Sequence, residues 1–102
     1  MSTASIEIRK EQIADFCRRN GIHKLSLFGS VLTPRFSPVS DVDVLVEFQP
    51  GVRVGYLRMA ALERELSAII DGRKIDLRTP AELSKYFRDE ILRSAAVQYA
   101  AG

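Results

Sequence analysis

Eight residues in the middle of the chain, Asp41-Val42-Asp43-Val44-Leu45-Val46-Glu47-Phe48, leave few folds open. Their β-branched content reads as a buried strand. Two aspartates nevertheless stand in it two positions apart, so both side chains share one face while Val42 and Val44 take the other. Their Cα atoms then lie roughly 7 Å apart. Two carboxylates on one face repel each other unless a cation or a proton stands between them. A strand otherwise made of Val, Leu and Phe does not place them there for packing; converging on one hard cation does explain them. Read without that cation, they are a solvated strand edge, or an Asp cap on a turn after Ser40. An EF-hand is excluded, because glycine and glutamate do not follow at the required offsets.

Around this strand the chain divides by helical and strand periodicity. Ile13, Phe16 and Cys17 recur at helical spacing, and the helix stops at Asn20-Gly21. Ile22 to Phe28 reads as a strand ended by Gly29-Ser30. Pro34 and Pro38 limit any helix after Gly29 to about one turn. Gln49-Pro50-Gly51 is a turn. From about Gly55 to Asp71, Met59, Leu62, Leu66, Ile69 and Ile70 form an apolar stripe opposite Arg58, Glu63, Arg64 and Glu65. Lys74 to Arg78 reads as a short strand. Thr79-Pro80-Ala81-Glu82 is a strong helix start, and Leu83, Phe87, Ile91 and Ala95 continue that helix at four-residue steps. The expected order is α-β-α-β-α-β-α: an α/β (α+β) domain with a small mixed sheet of about three to four strands covered by helices.

With 102 residues, a single domain over 1–102 is expected. A hydrophobic content of 46% supports one modest core, because at this length folding buries roughly two-thirds of the chain's surface. A net charge of +2 gives no clustered field for phosphate backbones, so no direct nucleic-acid binding is expected. One cysteine and one histidine exclude a disulfide framework and most zinc sites. No segment reads as a signal peptide or a membrane span, and a cytoplasmic location away from membranes is expected. His23 and Cys17 read as a solvated side chain and a small core hydrophobe. Tyr56, Phe87 and Tyr99 read as core or partner-facing groups, and Arg18-Arg19 and Arg73-Lys74 as solvated faces.

Gly29-Ser30 adds a second chemical element. A glycine lets backbone approach an anion closely, and amides and a hydroxyl at a helix start are donors aimed at phosphate. Asp76, between Ile75 and Leu77, is another acid inside an apolar β segment and joins the Asp41/Asp43 face if the strands are neighbours. By itself it also fits a surface acid on an edge strand. A phosphate cradle facing carboxylates is the arrangement that metal-dependent phosphoryl and nucleotidyl transfer requires.

Leu25-Ser26-Leu27-Phe28-Gly29-Ser30, ten residues, then Asp41-Val42-Asp43 resembles the G-S-x10-D-x-D signature of the DNA polymerase beta-like nucleotidyltransferase superfamily. Within it the likeness is to the smallest branch, the prokaryotic minimal nucleotidyltransferases (MNT). It extends to the Pro50-Gly51 turn, the Lys74-Ile75-Asp76-Leu77 strand and the Thr79-Pro80 helix start. The resemblance implies that Gly29 and Ser30 hold an ATP triphosphate. It also implies that Asp41 and Asp43 ligate Mg²⁺, and that Asp76 is the third carboxylate of a two-ion site that activates the acceptor. Members of that branch are commonly encoded beside a HEPN-domain RNase toxin. They act as its antitoxin by moving AMP from ATP to a toxin tyrosine, by direct binding, or both. Many members carry a basic residue three positions after the serine; Thr33 stands there, with Arg35 two positions later as the substitute for the phosphates. The alternative implied is an MNT-fold binding module that neutralises the toxin through the complex alone.

Overall fold

A computed structural model describes residues 9–32 and 41–101 of the chain. Helix α1 spans Lys10–Arg19, strand β1 Ile22–Phe28, β2 Val42–Phe48, helix α2 Tyr56–Ile69, β3 Ile75–Arg78, α3 Lys85–Ser94 and β4 Ala96–Ala100. Short 3₁₀ turns, Gly29–Leu32 and Pro80–Glu82, follow β1 and β3. The four strands form one mixed sheet in the order β3-β2-β1-β4. β1 pairs antiparallel with both β2 and β4, while β2 and β3 run parallel. A parallel pair needs a crossover, and α2 supplies it.

The alternation of β2 sorts its residues as the sequence implies. Val42, Val44 and Val46 are fully buried against Ile13, Phe16 and Cys17 of α1 and against Leu62 and Leu66 of α2, with Ile70 just beyond that helix. Asp43 points to the opposite face and is half-buried. Leu45, also on that second face, is buried, and the Pro80–Glu82 turn comes close to β2. His23 is exposed and Cys17 buried, both as expected. Burial pushes the Cys17 thiol up to about 12, with neighbouring Arg18 opposing weakly, so it stays protonated and unreactive.

Asn20-Gly21 ends α1 as read: the Asn20 amide N–H donates to the Cys17 carbonyl (3.3 Å), and Gly21 takes the left-handed conformation, φ +68°. The stop of α2 lies at Asp71-Gly72, where the Gly72 N–H donates to the Ser67 carbonyl (2.7 Å).

The C-terminal quarter corrects the sequence. Thr79 does meet Glu82, whose Oε1 receives the Thr79 N–H (3.2 Å), but the signal opens only the three-residue turn Pro80–Glu82. Leu83 is extended, and α3 begins afresh at Lys85 with Ser84 as its N-cap, accepting from the Tyr86 N–H (3.3 Å). Arg88 stabilises the break, its Nε donating to the Pro80 carbonyl (2.8 Å) and its Nη2 to the Leu83 carbonyl (3.1 Å). The helix does not run through Ala95. It stops at Ser94, and residues 96–100 become β4, because β1 offers an open row of backbone partners.

Candidate active site

The β1–β2 register sets Phe28 opposite Asp43, so the residue after Phe28 lies beside that carboxylate. That residue is Gly29, at φ +75°. A Cβ built there would collide with Asp43 Oδ2 and lie 3.2 Å from its Cγ and 3.4 Å from its Cβ. The Asp43 side chain therefore rests against the bare Cα of Gly29, and no other residue type leaves that room. Ser30 follows within the 3₁₀ turn that Gly29 opens. Arg35, Thr33 and Pro34 lie outside the described residues.

The parallel β2–β3 register pairs Asp43 with Asp76, placing the two acids side by side on one face. Asp76 is half-buried, and both its oxygens face Arg78: Nε to Oδ1 at 3.1 Å, Nη2 to Oδ2 at 3.4 Å. Asp41 is exposed and immediately precedes β2; its Oδ2 lies 3.9 Å from Lys74 Nζ. The fold thus joins Gly29, Asp43 and Asp76 directly, with Asp41 at the near end of the same strand. As the side chains stand, no three acidic, histidine or cysteine groups among the described residues close on one point as a metal centre.

The donor set nevertheless fits a hard divalent ion. It consists of carboxylate oxygens alone, the chemistry Mg²⁺ takes, and the glycine opposite lets the Asp43 carboxylate lie directly against the turn after β1.

Beside Asp76 opens a groove of about 440 Å³ whose walls include Gly55, Tyr56 and Met59 from the start of α2, with Glu63, Leu77, Arg78 and Glu82. Glu63 reaches across the outer edge of β3, its Oε2 accepting the Leu77 N–H (2.8 Å). The sequence set Glu63 opposite the apolar stripe of α2, read Glu82 only as part of the helix start at Thr79, and did not single out Arg78. Arg78 was within reach of the alternation rule, since residues two apart on a strand share a face. For Glu63 no local signal existed. Tyr56 is 94% exposed and Phe87 60%, open to a partner, whereas Tyr99 packs on the core.

The sequence pattern of the family described as nucleotidyltransferase domain matches residues 9–97. The chain is a minimal nucleotidyltransferase. A relative from Methanocaldococcus jannaschii, provisionally named protein adenylyltransferase MJ0435, is 30% identical over 84% of this chain and 89% of its own length. A solved structure provisionally described as a minimal nucleotidyltransferase is 31% identical, with a TM-score of 0.69 over 85% of this chain and 86% of that one. A structure of a tri-AMPylated HEPN toxin from Shewanella oneidensis in complex with an MNT antitoxin superposes with a TM-score of 0.64. It covers 90% of this chain and 70% of that one at 17% identity, a likeness of fold alone. No helix among the described residues of this minimal nucleotidyltransferase is long and apolar enough to cross a membrane.

Proposed function

We propose that this minimal nucleotidyltransferase transfers AMP from ATP to the tyrosine hydroxyl of a partner HEPN toxin and acts as its antitoxin. The observation that carries the reading is the Asp43 carboxylate against the bare Cα of Gly29, with Asp76 beside it on the neighbouring strand. The adenylyltransferase name of the Methanocaldococcus relative and the AMPylated toxin of the Shewanella complex support the choice of group and partner.

Asp41, Asp43 and Asp76 are the residues that would hold two Mg²⁺ ions, which when bound neutralise phosphate charge and raise the acidity of the acceptor. The turn opened by Gly29 and Ser30 receives the triphosphate on its backbone amides, next to the Asp43 carboxylate that the bare Cα of Gly29 admits. In the transfer the acceptor oxygen bonds to the α-phosphorus as the bond to the bridging oxygen of the β-phosphate breaks. Pyrophosphate leaves, and the hydroxyl proton departs toward the Asp76 side. The groove next to Asp76 gives the acceptor segment a way in.

The test is incubation of the chain with its HEPN partner, Mg²⁺ and ATP labelled at the α-phosphate. Label is expected on the toxin, lost when the acceptor tyrosine becomes phenylalanine and reduced at least about a hundredfold by Asp43→Asn. The ion pair of Asp76 with Arg78 favours a second reading, neutralisation by binding alone. No label, with equal inhibition by wild type and Asp43→Asn, would establish that reading and remove the first.

A further inference from the structure

Arg78 stands two residues after Asp76 on β3 and on the same face, so its position beside the carboxylate is built into the strand. The guanidinium fork takes both oxygens of Asp76 at 3.1 and 3.4 Å. Its remaining arm, Nη1, lies 3.8 Å from Glu82 Oε2. Glu82 is itself fixed, because its other oxygen, Oε1, receives the Thr79 N–H (3.2 Å) and the Thr79 hydroxyl (3.1 Å). One arginine therefore sits between a carboxylate of the candidate site and a second carboxylate that the turn after β3 holds in place.

A guanidinium that takes both oxygens of a carboxylate competes with a divalent cation for it. Their like charges repel, and the lone pairs the fork occupies are withdrawn from the cation. The backbone of Arg78 is held by the sheet, but its long side chain can turn, and Glu82 already stands 3.8 Å from its Nη1. We propose that Arg78 is the protein's own counter-ion for Asp76, exchanged for a divalent cation when the site loads and received then by Glu82. Arg78 thereby sets how tightly the site takes a cation. This rests on the reading of Asp76 as a cation ligand.

The experiment is calorimetric titration of the whole chain with Mn²⁺, without nucleotide and at fixed ionic strength. Exposed ion pairs of this kind are worth up to a few-fold in an equilibrium constant, so Arg78→Gln is expected to bind Mn²⁺ about two- to fivefold more tightly than wild type. Arg78→Lys separates exchange from a plain field effect, because it keeps the charge and loses the fork. It too is expected to bind more tightly. Glu82→Gln, which removes the waiting anion, is expected to bind more weakly. Arg18→Gln, an exposed change of the same charge on α1, is expected to match wild type. An Arg78→Gln affinity equal to or below wild type overturns the proposal, as does an Arg78→Lys affinity equal to wild type. Mn²⁺ binding to none of the proteins overturns the cation reading of Asp76 and the proposal with it. The expected Mn²⁺ pattern without AMP transfer sustains the role of Arg78 and removes only the transferase reaction.

Discussion

Gly29 and Gly72 offer an internally controlled test of what holds Asp43 in place. Their φ angles are nearly equal, +75° and +73°, so alanine at either position pays the same left-handed backbone cost of about 1–2 kcal/mol. The gain from a stiffer unfolded chain is also common to both and cancels in the comparison. They differ in surroundings: a Cβ at residue 72 meets nothing within 4 Å, whereas one at residue 29 collides with Asp43 Oδ2. The aspartate can escape only by turning off its rotamer, at about 0.5–1.5 kcal/mol. Gly29→Ala should therefore lose about 1.5–3.5 kcal/mol in urea unfolding against about 1–2 for Gly72→Ala. The functional gap should be far wider. A carboxylate displaced by about an ångström costs on the order of a hundredfold in rate, so Gly29→Ala should lose AMP transfer to that extent while Gly72→Ala keeps most of it. Equal losses of stability and of activity in the two variants would refute the reasoning.

Removing the acceptor for the Leu77 amide by Glu63→Ala should cost about 1–3 kcal/mol, whereas Glu63→Gln, which keeps an acceptor oxygen, should lose less than half of that; equal unfolding midpoints for the two would refute the contact. For Cys17 the sign follows from its raised titration: the folded state keeps the proton up to about pH 12, while the unfolded chain releases it near pH 9. Stability from the buried thiol is complete below pH 9 and declines above it by about 1.4 kcal/mol per pH unit, so the gap between wild type and Cys17→Ala in urea titrations should shrink at that rate.

Much of the site could be read from the sequence because it is local. Alternation put Asp43 on one face and Val42 and Val44 on the other, and the break at Gly29 was visible as a strand end followed by a turn. The parallel pairing of β2 with β3, left open by the sequence, makes Asp76 a neighbour rather than an isolated acid. What escaped reading depended on distant partners. Leu83, Phe87 and Ile91 have the spacing of a buried stripe, yet α3 has no buried residue. The helix signal at Thr79 was overruled by carbonyls that Arg88, eight residues beyond Pro80, keeps satisfied. Residues 96–100 have two β-favouring side chains among alanines, and it is the open edge of β1 that draws them into the sheet.

The order β3-β2-β1-β4 puts the strand of Asp76 and the C-terminal strand at opposite margins of the sheet, joined by residues 79–95, in which the turn Pro80–Glu82 and Leu83 precede the ten-residue helix α3. Three interstrand spacings make a width of about 14 Å, and ten helical residues measure about 15 Å. The turn and the extended Leu83 between β3 and α3 leave chain to spare. A partner that grips α3 can therefore shift it along its axis while these residues take up the movement, and the strand that bears Asp76 keeps its register in the sheet.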